Sequence, residues 1–397
     1  MPRASTSPFS RRSFLHLSAA ASAAAAFHVV TEPMLAAAAA ARKHRPFIKD
    51  AVMIDSNENP LGPSQPARAA VSAIIPLGGR YSDNLTDDMV DTFAKLEGLN
   101  PDYIQPFPGS SSPLRGAVIA FTSPQKSYVS GDPGYEAGYH AAKTSGARVV
   151  NVPLTKNYAH DVKAMLAEAP DAGLFYVCSP NNPTGTLTSH SDIEYLAENK
   201  PKGSVVLVDE AYIHFSDAPS TLDLVKAGKD VIVLRTFSKI YGMAGLRCGF
   251  AIARPELLER VREYGGLTFM PVTAVVAATA SLNDPQLVPE RKRINTSVRQ
   301  ETFQWLDRSG YSYIASESNC FLLDTKRPGR EVIDAMAQQK VFIGRVWPVM
   351  PSCVRITVGT SEEMMQFRAA LQKVMSGAKA VSMVPAQTQR KLATLPS

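Results

Sequence analysis

The sequence has few cysteines, few tryptophans and no long uncharged apolar run. Its four cysteines, Cys178, Cys248, Cys320 and Cys353, are scattered and lack metal-ligand spacing. That excludes a disulfide framework or a zinc site and points to buried free thiols. The Ala-rich N-terminus is interrupted by His28, Thr31, Glu32 and Pro33, which excludes a convincing transmembrane helix. No stripe of Lys and Arg interleaved with aromatics occurs, so nucleic acid is not expected as a partner. No internal repeat is visible. What remains is ordinary for a globular chain of 397 residues: 45% hydrophobic, 20% charged, net charge +6. That length holds one large domain and a smaller one.

The N-terminal "SRRSFLHLSAAASAAAAF" (10–27) joins Arg11 and Arg12 to a weakly apolar stretch, and "MLAAAAAAR" (34–42) offers small-residue cleavage sites. Arg-Arg-x-Phe-Leu is the core of a twin-arginine export signal. The competing reading is an uncleaved Ala-rich tail on a cytoplasmic protein. Residues 1–41 are assigned to the signal, which implies the export machinery as a partner, a periplasmic or exported location and no stable membrane anchor. The remaining divisions are an arm over 42–79 contributing to a small domain, a large domain over 80–284, a C-terminal small domain over 285–376, and a flexible tail over 377–397.

Between Ala117 and Ala253 short apolar runs alternate with helix-like segments. "ARVVNVPL", "GLFYVCSP", "SVVLVDEA", "DVIVLRTF" and "CGFAIA" read as strands. The pattern predicts an α/β three-layer sandwich with a mostly parallel sheet, and strands apolar nearly throughout suit a sheet covered on both faces. Beyond Pro285 a long charged helix followed by "NCFLLDT" and "VRITVG" predicts a smaller α+β domain. Chemistry gathers at the carboxyl ends of strands in such sheets. Here those ends carry Asn182, then Asp209 with Tyr212, then Lys239 in "RTFSKIYGMAGLRCGF" (235–250). A strand with a Gly-rich loop, its lysine in solvent, is the alternative for the last of these.

A lysine, an acid, phenol and amide donors, hydroxyls and an arginine are what an aldehyde cofactor needs: a Schiff-base partner, a counter-charge for a pyridine nitrogen, and an anion cradle. The ordered motifs from "DSNENPLGPS" (55–64) to "VRITVGTSEE" (354–363) resemble the fold-type I pyridoxal-phosphate aminotransferases, aspartate aminotransferase-like in fold, and among them the histidinol-phosphate aminotransferase-like branch. The resemblance implies pyridoxal 5′-phosphate as cofactor, no metal, and transfer of an amino group between an α-amino acid or amino-alcohol phosphate and a 2-oxo acid. It implies that Lys239 forms the Schiff base and shuttles a proton, that Asp209 pairs with the ring nitrogen, and that Asn182 and Tyr212 bond the phenolic oxygen. Tyr135 in "GDPGYEAGY" would lie under the ring; a core tyrosine is its alternative.

Gly109, Ser110 and Ser111 open a helix whose N-terminus suits an anion, with Thr236, Ser238 and Arg247 adding hydroxyls and a charge; plain helix capping is the alternative for the serines. Ser112-Pro113 stands where the family has an acidic pair, a departure that bears on the shape of this turn. Tyr81 in "GGRYSDN" matches a tyrosine that reaches the partner's phosphate in a homodimer with shared sites. Arg355 matches the arginine that holds the substrate carboxylate, and Arg345, beside Trp347 and Met350, matches a second one that meets a distal acidic group. Asn57, with Asn59, belongs either to an arm leading into the site or to turn caps. Two rivals share these residues: a lyase, decarboxylase or oxidase on the same scaffold, and a non-catalytic binding or regulatory module.

Overall fold

The computed structural model describes residues 50–266 and 269–377. The twin-arginine segment, residues 42–49 of the arm and the tail from 378 onward lie outside them. Twelve strands can be followed among the described residues, eight of them before residue 253 and seven of those in one sheet.

The central sheet contains β2 (Ile104–Phe107), β3 (Ser127–Asp132), β4 (Val149–Pro153), β5 (Ala172–Cys178), β6 (Val205–Asp209), β7 (Val231–Thr236) and β8 (Gly249–Ile252), in the order β2-β8-β7-β6-β5-β3-β4. Strands β4, β3, β5, β6 and β7 run parallel, and β8 runs antiparallel to both of its neighbours. The mostly parallel sandwich expected from the sequence is therefore present. Every residue of β5, β6 and β7 is buried, as helices on both faces require. Strands β2 and β3 are additions to the strands expected from composition. "IQPF" is short and holds a proline, and "SYVSGD" mixes serine and glycine into its apolar run, so neither stands out.

Register brings the functional strand ends level. Cys178 pairs with Asp209 and Asp209 with Leu234, so the carboxyl ends of β5, β6 and β7 lie at one edge of the sheet. The segments leaving these ends carry Asn182, Tyr212 and Lys239. The helix Ser111–Phe121 enters the same edge after β2.

A second hydrophobic core involves Val298, Phe303, Phe321, Val354, Ile356 and Phe367 among others. It is built on the long helix Leu287–Arg308, on β10 (Cys320–Asp324) flanked by β9 (Ser312–Ile314) and β12 (Cys353–Thr357), and on the helix Ser361–Met375. Thr360 opens that last helix with a reciprocal cap to Glu363. From the N-terminal side β1 (Val52–Ile54) runs parallel to β11 (Val341–Ile343), and Val52 and Ile54 are part of this second core. This pairing carries the segment 55–59 to the end of the central sheet, between the two cores.

Candidate active site

Lys239, Asp209, Asn182 and Tyr212 line one cavity of about 330 Å³ together with Arg355 and Arg345. Ser110, Ser111, Tyr135, Thr236, Ser238, Arg247 and Asn57 line it as well. Residues scattered along most of the chain thus meet at the level strand ends. Gly109 adjoins this wall, and Tyr81 does not reach it: its side chain is 87% exposed, with its ring beside Phe269.

Lys239 leaves β7 on a short loop, and its Nζ donates to the Asn57 carbonyl (3.0 Å) and lies 5.5 Å from the Tyr212 ring centroid. Burial strips its charge of water, and with the charge of Arg355 this lowers its pKa to about 8. Asp209 is buried at the end of β6 and accepts from the Tyr176 hydroxyl (2.9 Å) and the Ala211 amide (3.1 Å). Burial pushes its carboxyl above the usual value, while Tyr176, Ala211 and Lys239 pull the other way. A buried anion held by neutral donors is short of a cation.

Asn57 joins the two cores. Its backbone is left-handed (φ 53°), and its amide side chain donates to the Tyr212 hydroxyl (3.0 Å) and to Cys320 Sγ (3.1 Å) while accepting from Thr357 (3.2 Å). Asn57 thus lines the cavity, with its backbone in a left-handed turn. Asn59 donates to the Ile240 carbonyl (3.0 Å), tying the same arm to the lysine loop.

At the other end of the cavity Ser110 and Ser111 stand at the N-terminus of the helix Ser111–Phe121. Ser110 makes no side-chain cap bond, so its hydroxyl is not spent on the helix. Gly109 has φ 88°, and a Cβ there would collide with the Arg247 guanidinium. That guanidinium donates to the Ala244 carbonyl (2.8 Å) and reaches Ser238 Oγ (3.4 Å), and Thr236 Oγ1 donates to Ser238 Oγ (3.0 Å). A helix N-terminus, a guanidinium and four hydroxyls therefore face one volume, which suits an anion. In place of an acidic pair, Ser112 donates to the Gly265 carbonyl and fastens the turn.

Arg355, on β12, donates from Nη1 to Asn182 Oδ1 (2.9 Å) and from Nη2 to the Asp55 carbonyl (2.7 Å), leaving Nε buried with no partner among the described residues. Arg345 is brought beside it by the backbone: the Arg355 amide donates to the Arg345 carbonyl (3.2 Å). Arg345 forms an ion pair with Glu136, next to Tyr135.

Several participants lie outside the set expected from the sequence. Tyr176 is readable only as a polar tip in the apolar run "GLFYVCSP". Glu136 adjoins Tyr135. Cys320 and Thr357 come from the second core and carry no local signal.

Fold and site together define an α/β enzyme whose lysine, acid and anion cradle lie at the strand ends. Residues 49–371 match the aminotransferase class I and II family, and the chain belongs to that family of pyridoxal-phosphate enzymes; it is an aminotransferase. It is 33% identical over 339 residues to the histidinol-phosphate aminotransferase of Moorella thermoacetica, covering 83% of this chain and 86% of that one. The histidinol-phosphate aminotransferase of Symbiobacterium thermophilum is 34% identical over 331 residues, covering 83% and 91%. The crystal structure of histidinol-phosphate aminotransferase from Sinorhizobium meliloti in complex with pyridoxal-5′-phosphate superposes with a TM-score of 0.75 at 26% identity, over 83% of this chain and 92% of that one.

Proposed function

We propose that this aminotransferase moves an amino group between an α-amino acid or an amino-alcohol phosphate and a 2-oxo acid, in two half-reactions at the cavity around Lys239. The observation that carries the reading is the shared cavity: a depressed-pKa lysine, a buried carboxylate and an anion cradle open onto the same space.

The residues fit pyridoxal phosphate. The missing Cβ of Gly109 makes room for the Arg247 guanidinium at the cradle, and the buried carboxyl of Asp209 suits a cationic partner. When bound, the cofactor supplies an aldehyde and an electron-withdrawing ring that acidifies the donor's Cα–H. Gly109, Ser110, Ser111, Thr236, Ser238 and Arg247 would hold its phosphate, Asn182 and Tyr212 its phenolic oxygen, and Tyr135 the face of its ring. Asp209 would hold a proton on the ring nitrogen. Lys239 Nζ would take the proton from the donor's Cα and return one in the second half-reaction; an amine whose pKa is lowered to about 8 suits both directions. Arg355 would grip the acidic head group, carboxylate or phosphate ester, its planar fork being anchored by Asn182 and Asp55.

A homodimer with shared sites extends the reading, Tyr81 of each copy completing the anion cradle of the other. What supports it is the exposure of Tyr81 with its apolar neighbours Ile75, Leu77 and Phe269. Export in the folded, cofactor-loaded state rests on Arg11, Arg12, Phe14 and Leu15. Pyridoxal phosphate is an anion that crosses membranes poorly, so loading before transport is the expected order; cytoplasmic retention is the outcome if the signal is not used.

The function is tested by half-transamination. Purified holoenzyme is given one amino acid, or histidinol phosphate, and the released carbonyl product is counted against sites. One equivalent of product, with the cofactor absorbance restored by a 2-oxo acid, is expected. Ammonia, carbon dioxide or peroxide in place of that stoichiometry would overturn it.

A further inference from the structure

Arg345 is not a free cation waiting at the cavity wall. Its guanidinium is paired with Glu136 and lies 4.8 Å from the Trp347 ring centroid. Trp347 is itself buried and donates from Nε1 to the Gly134 carbonyl (2.9 Å). Two contacts thus fasten the segment 345–347, which leads into β12, onto the segment 134–136 that follows β3. Tyr135, which lines the cavity, sits between the fastened residues.

Asp132, four residues before Glu136, feels the negative charge of Glu136, and its own carboxyl is pushed upward by burial first and by that charge second. Glu136 is the carboxylate paired with the Arg345 guanidinium. A substrate whose acidic head is held by Arg355 extends its side chain toward Arg345, because the backbone places the two arginines next to each other. A second carboxylate arriving there meets an arginine already neutralised. It must displace Glu136. An uncharged side chain does not need that step and meets Tyr135, which lines the cavity.

We propose that Glu136 sets the preference of this enzyme between dicarboxylic and uncharged amino donors, by competing with the donor's distal carboxylate for Arg345. The inference rests on the transaminase reading above and adds to it a specificity-determining residue. Both members of the pair are partly exposed, so the competition is screened by solvent and tunes preference rather than forbidding one class.

The experiment compares kcat/KM for L-glutamate with kcat/KM for L-phenylalanine, in the holoenzyme and in three variants. Glu136→Gln is expected to raise the glutamate-to-phenylalanine ratio about two- to fivefold, mainly through KM for glutamate, as loss of one competing charge at a solvent-screened pair implies. Glu136→Asp, which keeps the charge, is expected to hold the ratio nearer to that of the parent. Glu136→Gln/Arg345→Gln is expected to abolish the gain. An unmoved ratio in Glu136→Gln, or a gain that survives the loss of Arg345, overturns the competition while leaving transamination intact. A parent enzyme that converts no amino donor overturns the transaminase reading, and the competition with it.

Discussion

The lysine at the centre of the site carries a prediction that can be worked through in numbers. Capture of an aldehyde needs a neutral amine. With its pKa lowered from 10.5 to about 8, roughly one Lys239 in ten is neutral at pH 7. An unperturbed lysine would have about one in 3,000 neutral, since each unit is a factor of ten, so the protein gains roughly 300-fold in reactive amine. Burial is the larger cause and the Arg355 charge the next. Arg355→Gln removes the second and leaves the first. The rate at which apo-enzyme captures pyridoxal phosphate, followed by stopped-flow absorbance between pH 6 and pH 10, should rise with pH and level off above about 8 in the parent. In Arg355→Gln the inflection should move to the alkaline side and the rate at pH 7 should fall several-fold. The cofactor's own titration is removed by dividing by the rate with a simple alkylamine. A parent inflection near that of free lysine, or an Arg355→Gln inflection that stays put or moves to acid, would refute this account of the lysine.

Three further outcomes rest on particular contacts. Gly109→Ala places a side chain at φ 88° against Arg247. The backbone cost of about 1–2 kcal/mol falls on stability, and the displacement of the Arg247 guanidinium should weaken cofactor affinity measured by equilibrium titration; unchanged affinity would detach Gly109 from the cradle. Glu210 is buried against Arg235 (2.8 Å) and also accepts from Ser220 and Thr221; Glu210→Ala strands the Arg235 charge and should cost about 3–5 kcal/mol in urea unfolding, whereas a loss under about 1 kcal/mol would show that water reaches the pair. Mixing Tyr81→Phe with Lys239→Ala subunits should restore activity in confirmed heterodimers, because one composite site is then intact; no rescue from two severely impaired parents would count against shared sites.

Much of the site is legible in the sequence because it is made of strand ends. A fully apolar strand that stops at an acid, an amide or a lysine announces a residue the sheet cannot bury for free, and Asp209, Asn182 and Lys239 are readable on that ground. Their adjacency comes from consecutive strands pairing, as β5 with β6 and β6 with β7 do. What the sequence does not display is contact across the two cores. Asn57 reads as a turn residue, yet its buried amide bonds Tyr212 and Cys320, from opposite sides of the cleft. The tie between Arg345 and Glu136 spans 209 positions and has no periodicity or spacing to betray it. Strand β3 escapes notice for a related reason: its place between β4 and β5, not its composition, makes it a strand.

The central claim is that Lys239 is the amine on which the cofactor acts. Holoenzyme reduced with borohydride, digested with trypsin and mapped by mass spectrometry tests it most directly. Because a modified lysine resists cleavage, the label is predicted on the peptide from Thr236 to Arg247, one per chain, and the Lys239→Ala protein is predicted to carry none. Label on any other lysine, or full labelling of Lys239→Ala, would contradict the account.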